Sequence, residues 1–173
     1  GASFERAFGP FDFRFELKDA HFVSFYSAEG ALAPGGLGSL EAMLEALELE
    51  DLRWRRANDL ELPEGRSRVL PAMALTHSPP IDPVGPRQAG WQSRLEATRV
   101  MSLLAEYGVE VLLTGGLLDN AHELTRPEVW ITTTQDTRLN PELATYLFVT
   151  LEAPDALGQR ALRIERRQAP DLD

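Results

Sequence analysis

The side chains best suited to chemistry gather in two short stretches, Thr76-His77-Ser78 and Gly115-Gly116. A neutral imidazole such as His77 can ligate a metal or donate a hydrogen bond to a bound molecule. Its position before Ser78-Pro79-Pro80 suits equally a buried histidine bonded to backbone in a rigid loop, and packing is the simpler account. Ser78 would act as a nucleophile only with a positioned base and an oxyanion hole. Gly115-Gly116 lacks the lysine or helix N-terminus that phosphate cradles use, so a plain turn is expected there. Asp119, Asn120, His122 and Glu123 are polar and close together, a pattern that suits a solvated loop better than a substitute cation site. Arg53, Arg55 and Arg56 beside Trp54 suit a solvated face next to an acidic helix better than a grip on an anionic partner. Trp91 and Trp130 are expected to pack. Cysteine is absent, which removes thiolate nucleophiles, disulfides, cysteine-ligated zinc and iron–sulfur clusters together.

These residues must be positioned by regular elements, and the spacing of apolar residues predicts them. Phe11, Phe13, Phe15 and Leu17 alternate with Asp12, Arg14 and Glu16, the period-2 pattern of a strand with one buried face. Lys18-Asp19 reads as a tight reversal and residues 21–26 as a second strand, making a hairpin. A loop of Gly and Pro follows, with Ser39 the expected helix N-cap. Leu40, Met43, Leu44 and Leu47 then mark an amphipathic helix. Beyond Leu49 the pattern suits either a helix tail or a short edge strand.

Residues 69–75 read as a buried strand that feeds a loop stiffened by Pro79, Pro80, Pro83 and Pro86. Ser93 and Glu96 form a capping box for a helix with Ala97, Val100, Met101 and Leu104 on one face, ending at Gly108. Strands are expected at 109–113, 129–134, 145–151 and 161–167. The total is about seven strands and two main helices. Their order predicts an α/β domain, layered in an α+β-like way around a mixed sheet. Ligands in such sheets sit beyond the strand C-terminal ends, which makes Thr76, His77, Ser78, Gly115 and Gly116 the expected ligand-contacting residues.

The chain of 173 residues is expected to form one domain, since a core of adequate size fits that length. Apolar residues make up 43% and charged residues 25%, an ordinary globular composition. Seventeen basic against 27 acidic residues leave a net charge of −10, which disfavours binding to nucleic acid or an anionic membrane. No apolar run approaches the roughly 20 residues that span a bilayer. A cytoplasmic location is the expectation.

The run from Val69 to Pro80, the helix after it, and Val109 to Gly115 together resemble the C-terminal half of calcineurin-like metallophosphoesterases. In that family a strand ends in His followed closely by Pro, a helix crosses back, and the next strand ends in Gly-His-x-His. Phe8-Gly9-Pro10, the hairpin to His21-Phe22-Val23 and the Leu-rich helix are similar to the stretch that follows the family's Gly-Asn-His motif. The resemblance covers residues 8–150 and implies about half of a two-sheet sandwich.

It also implies a site for two divalent metals such as Mn, Fe or Zn, about 3.5–4 Å apart. This chain departs from the ligand pattern. Asp-x-His, Gly-Asp-x-x-Asp and Gly-Asn-His do not occur, and Gly115-Gly116-Leu117-Leu118 stands where Gly-His-x-His belongs. Of the implied ligands, His77 alone is present, and one imidazole cannot hold two hard cations. The expectation is therefore a non-catalytic binding or scaffold protein without a cofactor, which holds a peptide or protein partner. It is also expected to form a homodimer in which sheets from two copies cover each other. The alternative is a fragment of a metal-dependent phosphoesterase that needs an N-terminal half to be active; an unrelated small α/β domain is a third account.

Overall fold

The computed structural model describes residues 12–17, 20–27, 30–62, 68–81, 90–117, 123–126, 129–135, 145–155 and 160–168. Among these are two helices, α1 (Gly36–Asn58) and α2 (Arg94–Glu106). The strands are β1 (Phe13–Leu17), β2 (Ala20–Ser24), β3 (Ala72–Thr76), β4 (Val111–Leu117), β5 (Glu123–Arg126), β6 (Val129–Gln135), β7 (Thr145–Leu151) and β8 (Leu162–Gln168). Six strands form one sheet in the order β1-β2-β3-β4-β6-β5, and β7 pairs with β8 antiparallel. Strands β2, β3, β4 and β6 run parallel, while β1 and β5 are antiparallel to their neighbours, so the sheet is mixed as the element order implied.

The two crossovers β2-α1-β3 and β3-α2-β4 step in the same direction across the sheet. Right-handed crossovers that step one way put their helices on one face. That face carries Val23, Ala72, Ala74 and Leu112, against which Leu40, Leu44 and Leu47 of α1 and Ala97, Val100 and Leu104 of α2 pack. The small side chains of Ala72 and Ala74 leave room for the helices to lie close. The opposite face takes the alternate residues, among them Phe22, Met73, Leu75, Val111 and Leu113.

Several local expectations need correcting. Helix α1 begins at Gly36, earlier than Ser39, and its N-cap is Gly35 at φ 81°. Ser39 lies inside the first turn and its N–H donates to the Gly35 carbonyl. The helix continues through Arg53, Arg55 and Arg56 to Asn58, so this basic segment is helix tail, not edge strand. Of the capping box expected at Ser93 the serine half forms, its hydroxyl accepting the Glu96 N–H at 3.2 Å. Strand β3 starts at Ala72, not residue 69, because the Asp51 carboxylate accepts the Val69 and Leu70 N–H groups at 3.1 and 2.9 Å and draws them out of the ladder. Strand β4 starts at Val111, because the Val109 N–H instead closes the end of α2 on the Leu104 carbonyl.

An eighth strand, β5, includes Glu123, which the polarity of that region had placed in a loop. Asp119, Asn120 and His122, the reversal at Lys18-Asp19, and Pro83 and Pro86 lie outside the described residues. The largest correction concerns β1. Its apolar set, Phe13, Phe15 and Leu17, was expected to be buried, yet these side chains are 44%, 39% and 56% exposed. Phe15 pairs with Phe22, so the set projects from the face opposite the helices, where β1 forms the sheet margin.

Candidate functional site

The C-terminal ends of β2, β3 and β4 lie side by side, as parallel neighbours must. Thr76 pairs with Thr114 and Thr114 with Thr133, so a row of threonines crosses the sheet at this end. The Gly115 N–H donates to the His77 carbonyl at 3.0 Å and ties the two expected stretches together. Thr76, His77, Ser78 and Gly115 are thus neighbours.

Gly115 and Gly116 do not form the turn expected of them. Both lie within β4, next to a register shift between Thr114 and Leu117 where the strand bulges against β6. Glycine is the residue a bulge accepts most readily. His77 is exposed, not buried, and the fixed part of the residue is its carbonyl.

The hub of this end is Ser27, fully buried, which drew no attention in the sequence. Its hydroxyl accepts the Ser78 N–H at 2.8 Å and lies within bonding range of the Ser78 carbonyl at 3.0 Å and of the Thr76 hydroxyl. Thr76 in turn donates to the Phe25 carbonyl at 2.9 Å. A hydroxyl has one proton, so with the Thr76 proton on the Phe25 carbonyl the Ser27 proton is shared between the Ser78 carbonyl and the Thr76 hydroxyl. Trp91 completes the frame: its indole N–H donates to the Ser78 carbonyl at 3.1 Å and its ring meets Phe25 edge-on at 6.3 Å. The Ser27 and Thr76 hydroxyls are therefore spent on holding the loop. Thr114 Oγ1 is buried and makes no hydrogen bond.

A second polar cluster, likewise unforeseen, sits at the other end of the sheet. Asp51 and Arg68 are both buried. The Arg68 guanidinium donates to the carbonyls of Leu47 at 3.0 Å and of Leu70 and Tyr107 at 3.4 Å, while Arg55 Nε stands 3.1 Å from Asp51. One signal was available. Leu40, Leu44 and Leu47 continue at helical spacing to Asp51, so a carboxylate occupies the next place in the buried stripe.

His21 is buried beside this cluster, with Nδ1 3.6 Å from Glu50 and neither ring nitrogen hydrogen-bonded. Burial lowers its pKa below the ordinary 6.5, Arg68 adds to the lowering, and Glu16, Glu50 and Asp51 oppose it. The unfolded chain therefore binds a proton more readily than the folded one as pH falls below 6.5. Stability attributable to neutral His21 is full above that pH and declines as pH drops toward the folded pKa. Urea unfolding between pH 7.5 and 5.5 should show a decline of up to about 1.4 kcal/mol per pH unit. The His21→Gln variant should lose that part of the slope; an unchanged slope would exclude His21 as its source.

Among the described residues, no group of three or more His, Asp or Glu side chains is placed to hold a metal ion. No described helix is long and apolar enough to cross a membrane. Shallow grooves occur between α1 and α2 at Leu37, Glu41, Arg99 and Leu103, and at the end of α1 by Arg55, Arg56 and Asp59. Neither adjoins the strand-end site. No family model matches this sequence, and no curated protein matches it.

Proposed function

We propose that this chain is a non-catalytic binding module derived from a metallophosphoesterase fold, which engages protein surfaces through the exposed margin of its main sheet at β1. The observation that carries the reading is the apolar surface at β1 and β2, where Phe13, Phe15 and Leu17 face solvent on the side that neither helix covers. Apolar surface gathered at one place on a soluble domain marks a binding site more often than an accident of packing.

The strand-end chemistry supports the same reading. A pair of hard divalent ions needs several carboxylate or imidazole ligands from adjoining strands. Thr76, His77, Ser78, Gly115 and Gly116 supply one imidazole, the Thr76 hydroxyl already committed to the loop, the Ser78 hydroxyl, and backbone. These residues do not fit a dinuclear centre, so no hydrolytic step is assigned to them. They fit a rigid rim on which a peptide can rest, with the His77 ring free to donate a hydrogen bond.

The test is direct. Protein incubated with Mn2+ and Zn2+, then desalted, should retain less than stoichiometric metal and should hydrolyse an aryl phosphate no faster than a metal-only control. Two tightly held ions per chain together with turnover would overturn the proposal in favour of a phosphoesterase.

A further inference from the structure

We infer that two copies of this chain associate by pairing their β1 strands antiparallel, in a register centred on Phe15, so that two six-stranded sheets become one continuous sheet. The inference rests on the binding reading above and names a second copy as the occupant of the surface at β1.

The backbone supports it first. Among the described residues β1 is the margin of the sheet and pairs on one side with β2. The His21 N–H donates to Pro71, on the β3 side, and the Phe25 N–H to Leu75, also on that side. Backbone groups alternate in direction along a strand, so Ala20, Phe22 and Ser24 point to β1, where their partners are Leu17, Phe15 and Phe13. The N–H and C=O groups of Arg14 and Glu16 consequently point to the open edge. A strand margin of this kind is a template for another strand.

The side chains then select the register. With Phe15 opposite Phe15, Arg14 of each copy lies opposite Glu16 of the other, and each such pair exchanges both of its backbone hydrogen bonds. Opposite charges therefore face each other across the join, twice by symmetry. Centring the pair on Arg14 would oppose two guanidinium groups, and centring it on Glu16 would oppose two carboxylates. Shifting by half a step would face open backbone groups with groups already used by β2. Arg14 keeps its ion pair with Glu50 at 2.5 Å through one nitrogen and has further N–H groups for the second copy.

The apolar face follows from the same register. Phe13 meets Leu17 of the second copy, and the two Phe15 rings meet at the axis. Within each copy Phe15 already stacks on Phe22 at 4.6 Å and lies 6.1 Å from Phe13. The joined strands thus carry one unbroken apolar strip along the face opposite the helices.

Because the chain has no cysteine, a single introduced thiol reports the register cleanly. At Phe15 the two copies form a non-hydrogen-bonded pair with Cα atoms about 4.5 Å apart, within disulfide reach. The two Leu17 positions lie four residues apart along the strands, about 13 Å, beyond that reach. Mild oxidation should cross-link Phe15→Cys into a covalent dimer and leave Leu17→Cys uncross-linked.

In sedimentation velocity across micromolar concentrations, Arg14→Glu and Glu16→Arg should each weaken dimerisation about tenfold. The double variant, which restores opposite charges across the join, should return to within about threefold of the native chain. Circular dichroism of each variant checks that it folds. A native chain that sediments as a monomer, equal cross-linking at both positions, or a double variant as weak as the singles would each overturn the inference. A monomer would leave the metal and hydrolysis results untouched, so the two proposals fail separately.

Discussion

Replacing Asp51 with alanine is expected to lower the unfolding free energy by about 3–5 kcal/mol, the cost of stranding a buried charge. Asp51 accepts the Val69 and Leu70 N–H groups, and its negative charge favours the protonated Arg68 that burial disfavours. Alanine leaves two backbone donors without an acceptor and Arg68 without its strongest compensating charge. Domains of this size have about 5–15 kcal/mol in all, so the loss is a large share of the total. Adding Arg68→Met removes the stranded charge, and the double variant should lose less than the sum of the two single losses. Urea unfolding measures all three. A loss under about 1 kcal/mol for Asp51→Ala would show that water or a neighbouring group replaces the carboxylate.

The second large effect is expected at Trp91, where alanine should remove about 3–5 kcal/mol. Its ring is buried against Phe25 and its N–H holds the Ser78 carbonyl, so it fixes the loop that carries His77. Trp91→Phe separates the two contributions. It keeps most of the packing and loses the hydrogen bond, and should cost about 1 kcal/mol beyond the volume change. Hydrogen exchange gives a local readout. The Gly115 amide, which donates to the His77 carbonyl, should exchange faster in Trp91→Phe than in the native chain. Equal protection in both would mean that Trp91 stabilises the core without holding the strand-end loop.

How far the sequence was legible depends on the range of the interaction that decided each feature. The second helix, with its Ser93 cap and the face of Ala97, Val100 and Leu104, follows from contacts within a few residues, and it formed where the spacing placed it. The first helix was misplaced at its start because a left-handed Gly35 replaces the side-chain cap expected at Ser39, and a backbone conformation leaves little trace in composition. Residues 69 and 70 looked like strand because they are apolar. They are held outside it by a carboxylate on a helix that precedes them, a contact that periodicity does not encode.

That the strand-end residues are neighbours was legible because parallel sheets place their loops together. Ser27, the residue that organises them, was missed because a lone serine after a strand carries no pattern. His77 was found as a residue but misjudged in its surroundings, since a proline-flanked histidine can face inward or outward with equal ease.

By itself the sequence determined the alternation of strands and helices, the faces of both helices and the acidic charge balance. Each of these depends on residue type or on spacing within one element. Only the tertiary structure decided that both helices lie on one face, that the alternating Phe13, Phe15 and Leu17 point away from them, and that Asp51, Arg68 and His21 meet in the interior. These outcomes depend on which strands pair and in which direction. That choice is made by contacts between segments far apart in the chain, where the burial of one element is fixed by the arrival of another.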